Sequence, residues 1–76
     1  MKPSELIPGY IYSDTIRYRQ IDRIENGYVH YRKVGYLPIR KRIHLLGIGK
    51  CRVQTFLNWA KYEYTEALFI EVKKAM

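Results

Sequence analysis

Two runs of strand-favouring residues flank an Asn-Gly pair near the middle of the chain, and this pattern predicts a β-hairpin. Residues 15–24 and 28–34 are rich in β-branched and aromatic side chains, which suit a pleated surface. Asn26 and Gly27 both tolerate the positive φ angles of a type I′ turn, which joins two strands through two residues. The sequence therefore predicts a tight antiparallel hairpin centred on this pair.

The two-residue turn also fixes the register of the hairpin. It places three pairs of residues opposite each other: Glu25 with Tyr28, Ile24 with Val29, and Arg23 with His30. Alternation along the strands then directs two sets to opposite faces: Ile24, Val29 and Tyr31 to the core, and Tyr28, His30 and Arg32 to the outside. Ile21 is out of phase with Ile24, and a β-bulge near Asp22 and Arg23 would return it to the buried face.

Residues 37–45 fit two structures. A strand would direct Ile39, Ile43 and Leu45 inward, whereas a helix would align Ile39, Ile43 and Leu46 in one stripe. The sequence leaves both open.

Apolar spacing after Gly49 predicts helices. Apolar residues recur at helical intervals: Val53, Phe56, Leu57, Ala60 and Tyr64. Thr65 suits the N-cap of a final helix, since Glu66 follows near its start and Lys73 and Lys74 near its end, where the helix dipole favours these charges.

These elements predict an α+β fold, mostly β in its N-terminal half, in which an antiparallel meander or small barrel precedes C-terminal helical segments. A chain of 76 residues has room for one hydrophobic core, so a single domain over 1–76 is expected. Its β-rich part is predicted over 8–45 and its mainly helical part over 50–76.

The strand Pro8-Gly9-Tyr10-Ile11-Tyr12, the long hairpin, a further strand and a short helix at Thr55-Phe56-Leu57 together resemble a small SH3-like β-barrel. The resemblance is one of architecture. Such barrels bind RNA, DNA, peptides and one another, so it implies a binding protein without fixing the ligand. Under this resemblance Gly47 and Gly49 are plain turn residues.

The segment from Leu45 to Leu57 also resembles the second half of a helix-hairpin-helix motif. In that family a Gly-hydrophobic-Gly hairpin joins two helices and presents backbone N–H groups to a DNA phosphate. The resemblance implies roles for seven residues: Gly47 and Gly49 in the turn, Ile48 in the core, Phe56 and Leu57 in the packing of the second helix, and Lys50 and Arg52 as added charge.

Positive charge is concentrated in the middle of the chain. The protein has 14 Lys and Arg against 7 Asp and Glu, a net charge of +7. Ten of these basic residues lie between Thr15 and Arg52, where only Asp22 and Glu25 oppose them. Such a concentration favours a polyanionic partner.

The candidate nucleic-acid site has two parts. Phosphate contacts are assigned to basic residues and to the two glycines: Arg40, Lys41, Arg42, Lys50, Arg52, Gly47 and Gly49. Stacking on bases, with adjacent charge, is assigned to the hairpin's outer face and its flank: Arg17, Tyr18, Arg23, Tyr28, His30 and Arg32. The alternative for the tyrosines is that they cover the edge of the core.

Catalytic chemistry has little support in the sequence. His30 and His44 have no Cys or carboxylate at metal-ligand spacing, so no metal or other cofactor is expected. Cys51 has no placed histidine or carboxylate partner and is expected to be structural. A single Cys is typical of a reducing compartment, and no signal peptide or membrane span is evident, so a cytoplasmic location is expected.

The expected function is sequence-tolerant binding of DNA or RNA by a protein that is not an enzyme. The alternative is a protein-interaction or regulatory module, from a phage, plasmid or other mobile element, with a protein partner or a second copy of the chain bound through the aromatic face or the C-terminal helix.

Overall fold

Seven secondary-structure elements follow one another in the computed structural model, which describes residues 6–37, 39–40 and 42–75. They are β1 (Ile11–Ser13), β2 (Tyr18–Glu25), β3 (Tyr28–Leu37), β4 (Arg42–Arg52), α1 (Val53–Trp59), β5 (Tyr62–Tyr64) and α2 (Glu66–Lys74). The strands form one antiparallel sheet in the order β4-β3-β2-β1-β5. The predicted α+β, mostly β fold is confirmed. The sheet is not closed into a barrel, and the resemblance to SH3-like proteins stays a prediction.

The hairpin between β2 and β3 forms as predicted. Asn26 and Gly27 have φ angles of 51° and 77°, as a type I′ turn requires. All three predicted residue pairs are present, and the register shifts between Ile21 and Arg23. The predicted bulge is therefore confirmed, and it returns Ile21 to the buried face.

Residues 37–45 do not form one element. β3 ends at Leu37, a turn follows at Ile39 and Arg40, and β4 begins at Arg42. Pro38 and Lys41 lie outside the described residues. The predicted inward position of Ile39 is wrong, because this side chain sits on the turn and is 97% exposed. The strand alternative directed Leu45 inward and the helix alternative Leu46, but both side chains are exposed on β4.

Gly47, Ile48 and Gly49 lie within β4, where they pair with Lys33, Arg32 and Tyr31. Both predicted structures, a hairpin between helices and a plain turn, are therefore wrong for these residues. The physical reason is cross-strand packing, since a Cβ on Gly49 would lie 2.8 Å from the Tyr31 hydroxyl oxygen. This glycine makes room for a ring instead of turning the chain. The sheet also continues to Arg52, past the predicted boundary at residue 45.

Each face of the sheet carries one helix. α1 packs on the face defined by Tyr12, Ile21, Val29 and Tyr31, which we call the α1 face. α2 packs through Phe69 on the opposite face, defined by Ile11 and Val34, which we call the α2 face. Neighbouring residues such as Ile11 and Tyr12 point to opposite faces of a strand, so β1 contributes to both cores.

The first of the two predicted helices differs from its prediction in length. The apolar spacing extended the first helix to Tyr64, but α1 ends at Trp59 and Tyr64 belongs to β5, where it pairs with Ile11. The N-cap of α2 is confirmed, since the Thr65 hydroxyl accepts a hydrogen bond from the Leu68 N–H at 3.1 Å. In the described part of the chain, no helix has the length and apolar character needed to cross a membrane.

Candidate nucleic-acid interface

The predicted stacking surface lies on the α2 face, beyond the part that α2 covers. Residues two apart in a strand lie on the same face, so Tyr28, His30 and Arg32 of β3 share the face of Val34. β4 and β2 add the residues directly opposite: Arg52 beside Tyr28, Lys50 and Arg23 beside His30, and Ile48 beside Arg32. The sequence correctly grouped the outer residues of the hairpin, and the sheet adds Lys50 and Arg52 to them.

Much of the charge on this surface is neutralised locally. Arg23 contacts Asp22 at 3.1 Å and Glu25 at 3.0 Å, and Arg32 contacts Asp22 at 3.3 Å. The bond to Glu25 is the largest cause of a raised pKa for Arg23. The Lys50 ammonium lies 5.5 Å from the centre of the Tyr28 ring. Two of the four predicted cations here are thus already paired with carboxylates.

A second group of cations lies on the α1 face. Tyr12, Arg19, Lys33 and Gly47 form one row across the sheet, and Arg17 stands in the loop that leads into β2. These cations border a cavity of about 460 Å³, which we call the cationic groove. Its lining is Ile16, Arg17, Tyr18, Arg19, Lys33, Val34, Gly35 and Leu46. None of the described residues that line it is acidic.

Arg19 is held between two aromatic rings. Its guanidinium carbon lies 4.6 Å from the centre of the Tyr31 ring and 4.3 Å from that of Trp59. Its Nε atom is buried without a hydrogen-bond partner among the described residues. Stacking of this kind restricts the side chain while leaving its charge uncompensated. Arg19 is therefore a fixed cation at the end of the groove nearest α1.

Asp14 organises both the loop and the ring beside the groove. One carboxylate oxygen accepts from the Trp59 indole N–H at 3.0 Å, and the other accepts from the backbone N–H groups of Arg17 at 2.8 Å and Ile16 at 3.0 Å. The backbone bond from Arg17 is the largest cause of a lowered pKa for Asp14. Thr15 has a φ of 90°, which is rare for a β-branched residue, so these bonds hold a strained loop. One carboxylate thus positions both Arg17 and the ring that stacks on Arg19.

The remaining predicted residues are divided between surface and core. Arg40 and Arg42 are exposed at the turn between β3 and β4, and Lys41 lies outside the described residues. Arg42 precedes Ile43, which packs on the α2 face, so alternation puts Arg42 on the α1 face with the groove. Tyr18 is structural, since its ring lies 5.0 Å from that of Phe69 and its hydroxyl accepts from Lys73 at 2.6 Å. The core-edge interpretation fits this tyrosine.

Sequence reasoning missed Arg19, Lys33 and Trp59 as members of the site. A signal for two of them was present, because the bulge pairs Ile21 with Tyr31, and the next pair on the same face of the sheet is Arg19 with Lys33. Nothing in the sequence indicated that Trp59, at the end of α1, would reach Arg19.

No protein-family model, curated protein or solved structure matches this chain. Its function is therefore inferred from its own geometry.

Proposed function

We propose that this protein binds nucleic acid without strong sequence preference, and that the cationic groove is its principal contact. The observation that carries the proposal is the combination of Arg17, Arg19 and Lys33 around one groove with no acidic residue in its described lining. Like charges repel one another, so an anion that contacts all three relieves an unfavourable arrangement. A phosphate backbone supplies such anions at regular intervals, and charge neutralisation dominates its affinity for proteins.

The groove also suits the apolar parts of a nucleotide. Ile16 and Leu46 form exposed rims, and Leu46 is 63% accessible to solvent. Gly35 of β3 and Gly47 of β4 have no side chains, so the surface of the sheet is open at these two positions. Arg40 and Arg42 extend positive charge beyond the groove towards the turn. A strand that follows this path meets phosphate contacts first and sugar or base contacts along the rim, which is typical of sequence-tolerant binding.

The test is a salt-dependent titration with a matched charge control. Fluorescence anisotropy would measure binding to labelled single strands and duplexes of DNA and RNA about 16 nucleotides long, the upper end of site sizes for small domains. The double variant Arg17→Gln/Lys33→Gln should flatten the plot of log K against log salt by about 1.4–1.8 units, since each of the two lost phosphate contacts contributes about 0.7–0.9.

The control is a variant that removes charge from the opposite side of the molecule. Lys74 is exposed on α2, so Lys74→Gln should leave the salt dependence almost unchanged. The proposal fails if no nucleic acid binds at about 50 mM salt, where such contacts are strong. It also fails if Lys74→Gln weakens binding per lost charge as much as the groove variant does.

A further inference from the structure

The outer edge of β4 is a long strand edge with no partner among the described residues. β4 has 11 residues and is the last strand on its side of the sheet. Its exposed side chains include Leu45, Leu46 and Ile48, and Ile48 is 76% accessible. An open edge of this length is a template for another strand, and the exposed Lys50 and Arg52 on this one disfavour a basic partner.

The hydrogen-bonding pattern identifies which backbone groups are available. Val53, the residue after β4, donates its N–H to the carbonyl of Gly27, the residue before β3, at 3.0 Å. At this position the backbone groups are therefore directed from β4 towards β3. Alternate residues of an antiparallel strand direct both backbone groups to the same neighbour. Cys51 and Gly49 therefore face β3. Ile48 and Lys50 direct both N–H and C=O outward, whereas Arg52 directs only its N–H outward, because the carbonyl of this N-cap residue accepts the first bond of α1.

The hairpin turn gives the same result from the other side. Glu25 and Tyr28 flank a two-residue turn, and residues in that position bond to each other. Tyr28 thus directs its backbone groups to β2, and its β4 partner Arg52 makes no backbone hydrogen bond to it.

We propose that this edge binds an extended segment of a partner protein, which adds to the sheet as a further strand beside residues 48–52. On the α2 face the added strand meets Ile48, Lys50 and Arg52, all exposed, so it needs an apolar residue followed by two acidic ones at alternate positions. On the α1 face it meets Gly47, Gly49 and Cys51, and the Tyr31 ring lies over Gly49, so side chains on this side of the segment would meet an apolar surface. The segment is thus acidic on one face and apolar on the other.

Charge argues against a second copy of the chain as the occupant. Two β4 edges paired antiparallel about Lys50 would place this lysine opposite its own copy, and like charges directly opposite destabilise a sheet. Nucleic acid fits the edge poorly for a different reason. The outward carbonyls of Ile48 and Lys50 need hydrogen-bond donors, and a peptide backbone supplies one at every second residue whereas phosphates supply none.

The test uses two synthetic peptides of alternating Val and charged residues, one with Glu and one with Lys. The Glu peptide should bind about tenfold more tightly, because each of the two cross-strand charge pairs changes from attractive to repulsive. Amide hydrogen exchange should slow by about tenfold at Ile48, Lys50 and Arg52 when it binds, a change equivalent to about 1.4 kcal/mol. Gly49 and Cys51 already bond to β3 and should change little.

Two variants separate backbone pairing from charge. Ile48→Pro removes an outward N–H, leaves the bonds to β3 and keeps both Lys50 and Arg52, so the folded protein should lose the Glu peptide. Lys50→Glu/Arg52→Glu should prefer the Lys peptide, and this result holds even if the proline variant does not fold. Arg17→Gln/Lys33→Gln should bind the Glu peptide normally, which separates this inference from the proposed function. Equal binding of both peptides, no slowing at the three amides, or equal slowing by single-stranded DNA would overturn the proposal.

Discussion

Tyr31 occupies space that exists because residue 49 has no side chain. A Cβ at Gly49 would lie 2.8 Å from the Tyr31 hydroxyl oxygen and 2.9 Å from the ring carbon that carries it. The same ring lies 6.1 Å from that of Phe56 and stacks on the guanidinium of Arg19. A glycine in β4 therefore determines the position of a ring, and through that ring the position of a cation in the groove.

The glycines of β4 offer a matched pair of substitutions. Gly49→Ala should lower the free energy of unfolding by about 1–3 kcal/mol, the usual cost of forcing extra atoms into a packed site. Gly47→Ala places a Cβ 3.8 Å from Lys33 Cδ, an ordinary contact, and should leave stability equal or slightly higher because glycine costs about 0.5–1 kcal/mol in a strand. Urea unfolding of both variants checks this. Similar losses in the two would show that Tyr31 does not depend on Gly49.

At this scale the sequence predicts positions that depend on local chemistry. The turn at Asn26 and Gly27 sets the register, and the phase of Ile21 reveals the bulge. The roles of Gly49 and Trp59 depend on contacts between elements that are distant in sequence, so periodicity carries no information about them. The site was therefore predicted in part: its charge was evident, but the stacking around Arg19 was not.

The two helices are stabilised in different ways. α1 has seven residues, and its N-cap residue Arg52 makes no side-chain cap. Its stability must come from tertiary packing, since Phe56 and Leu57 are buried against the sheet. α2 combines the Thr65 cap with Glu66 in its first turn and with two lysines in its last turn, so local signals support it as well.

Removal of the cap should therefore affect α2 measurably. Thr65→Ala should destabilise the protein by about 1 kcal/mol, because the Leu68 N–H loses its acceptor. Thr65→Ser keeps a hydroxyl at the same place and should lose much less. Urea unfolding followed by circular dichroism makes the comparison, and an equal loss for Ser and Ala would mean that packing of the threonine methyl group matters instead.

Element boundaries were predicted less well than element types. The helical spacing continued through Ala60 to Tyr64, but Tyr64 pairs with Ile11 because β1 has a second edge that β5 fills. The segment 37–45 was ambiguous because a turn divides it into the ends of two strands. In both places the element boundary is set by pairing with a strand that is distant in sequence, and a local pattern of apolar residues contains no information about such pairing.

Across the whole molecule, Tyr12 joins segments from both ends of the chain. Its ring is fully buried and meets Phe56 edge to face at 5.6 Å. Its hydroxyl accepts from the Ile7 N–H at 3.0 Å and donates to Glu63 Oε2 at 3.1 Å. Burial is the main cause that raises the pKa of Tyr12 to about 12, and the nearby Glu63 carboxylate adds to it.

This raised pKa makes global stability sensitive to alkali. The folded state holds the phenol proton more tightly than the unfolded state, whose pKa is near 10.0. The contribution to stability is therefore complete below about pH 10 and is lost as pH rises from there towards 12. The urea midpoint of the natural protein should fall steeply between neutral pH and a pH above 10. The midpoint of Tyr12→Phe should fall less over the same interval. Parallel declines in the two proteins would contradict the assignment.

The pairing of β1 with β5 also has a kinetic consequence. The β1–β2, β2–β3 and β3–β4 pairs each join neighbours in the sequence, and each can form as soon as its own residues are available. Ile11 and Tyr12 of β1, by contrast, pair with Tyr64 and Glu63, which lie about 50 residues later in the sequence. Contacts between such distant segments slow folding, because a long loop has to close before they form. During synthesis, β1 keeps one unpaired edge until Tyr62–Tyr64 have been made. The arrival of the last strand should therefore be the step that commits the chain to its fold.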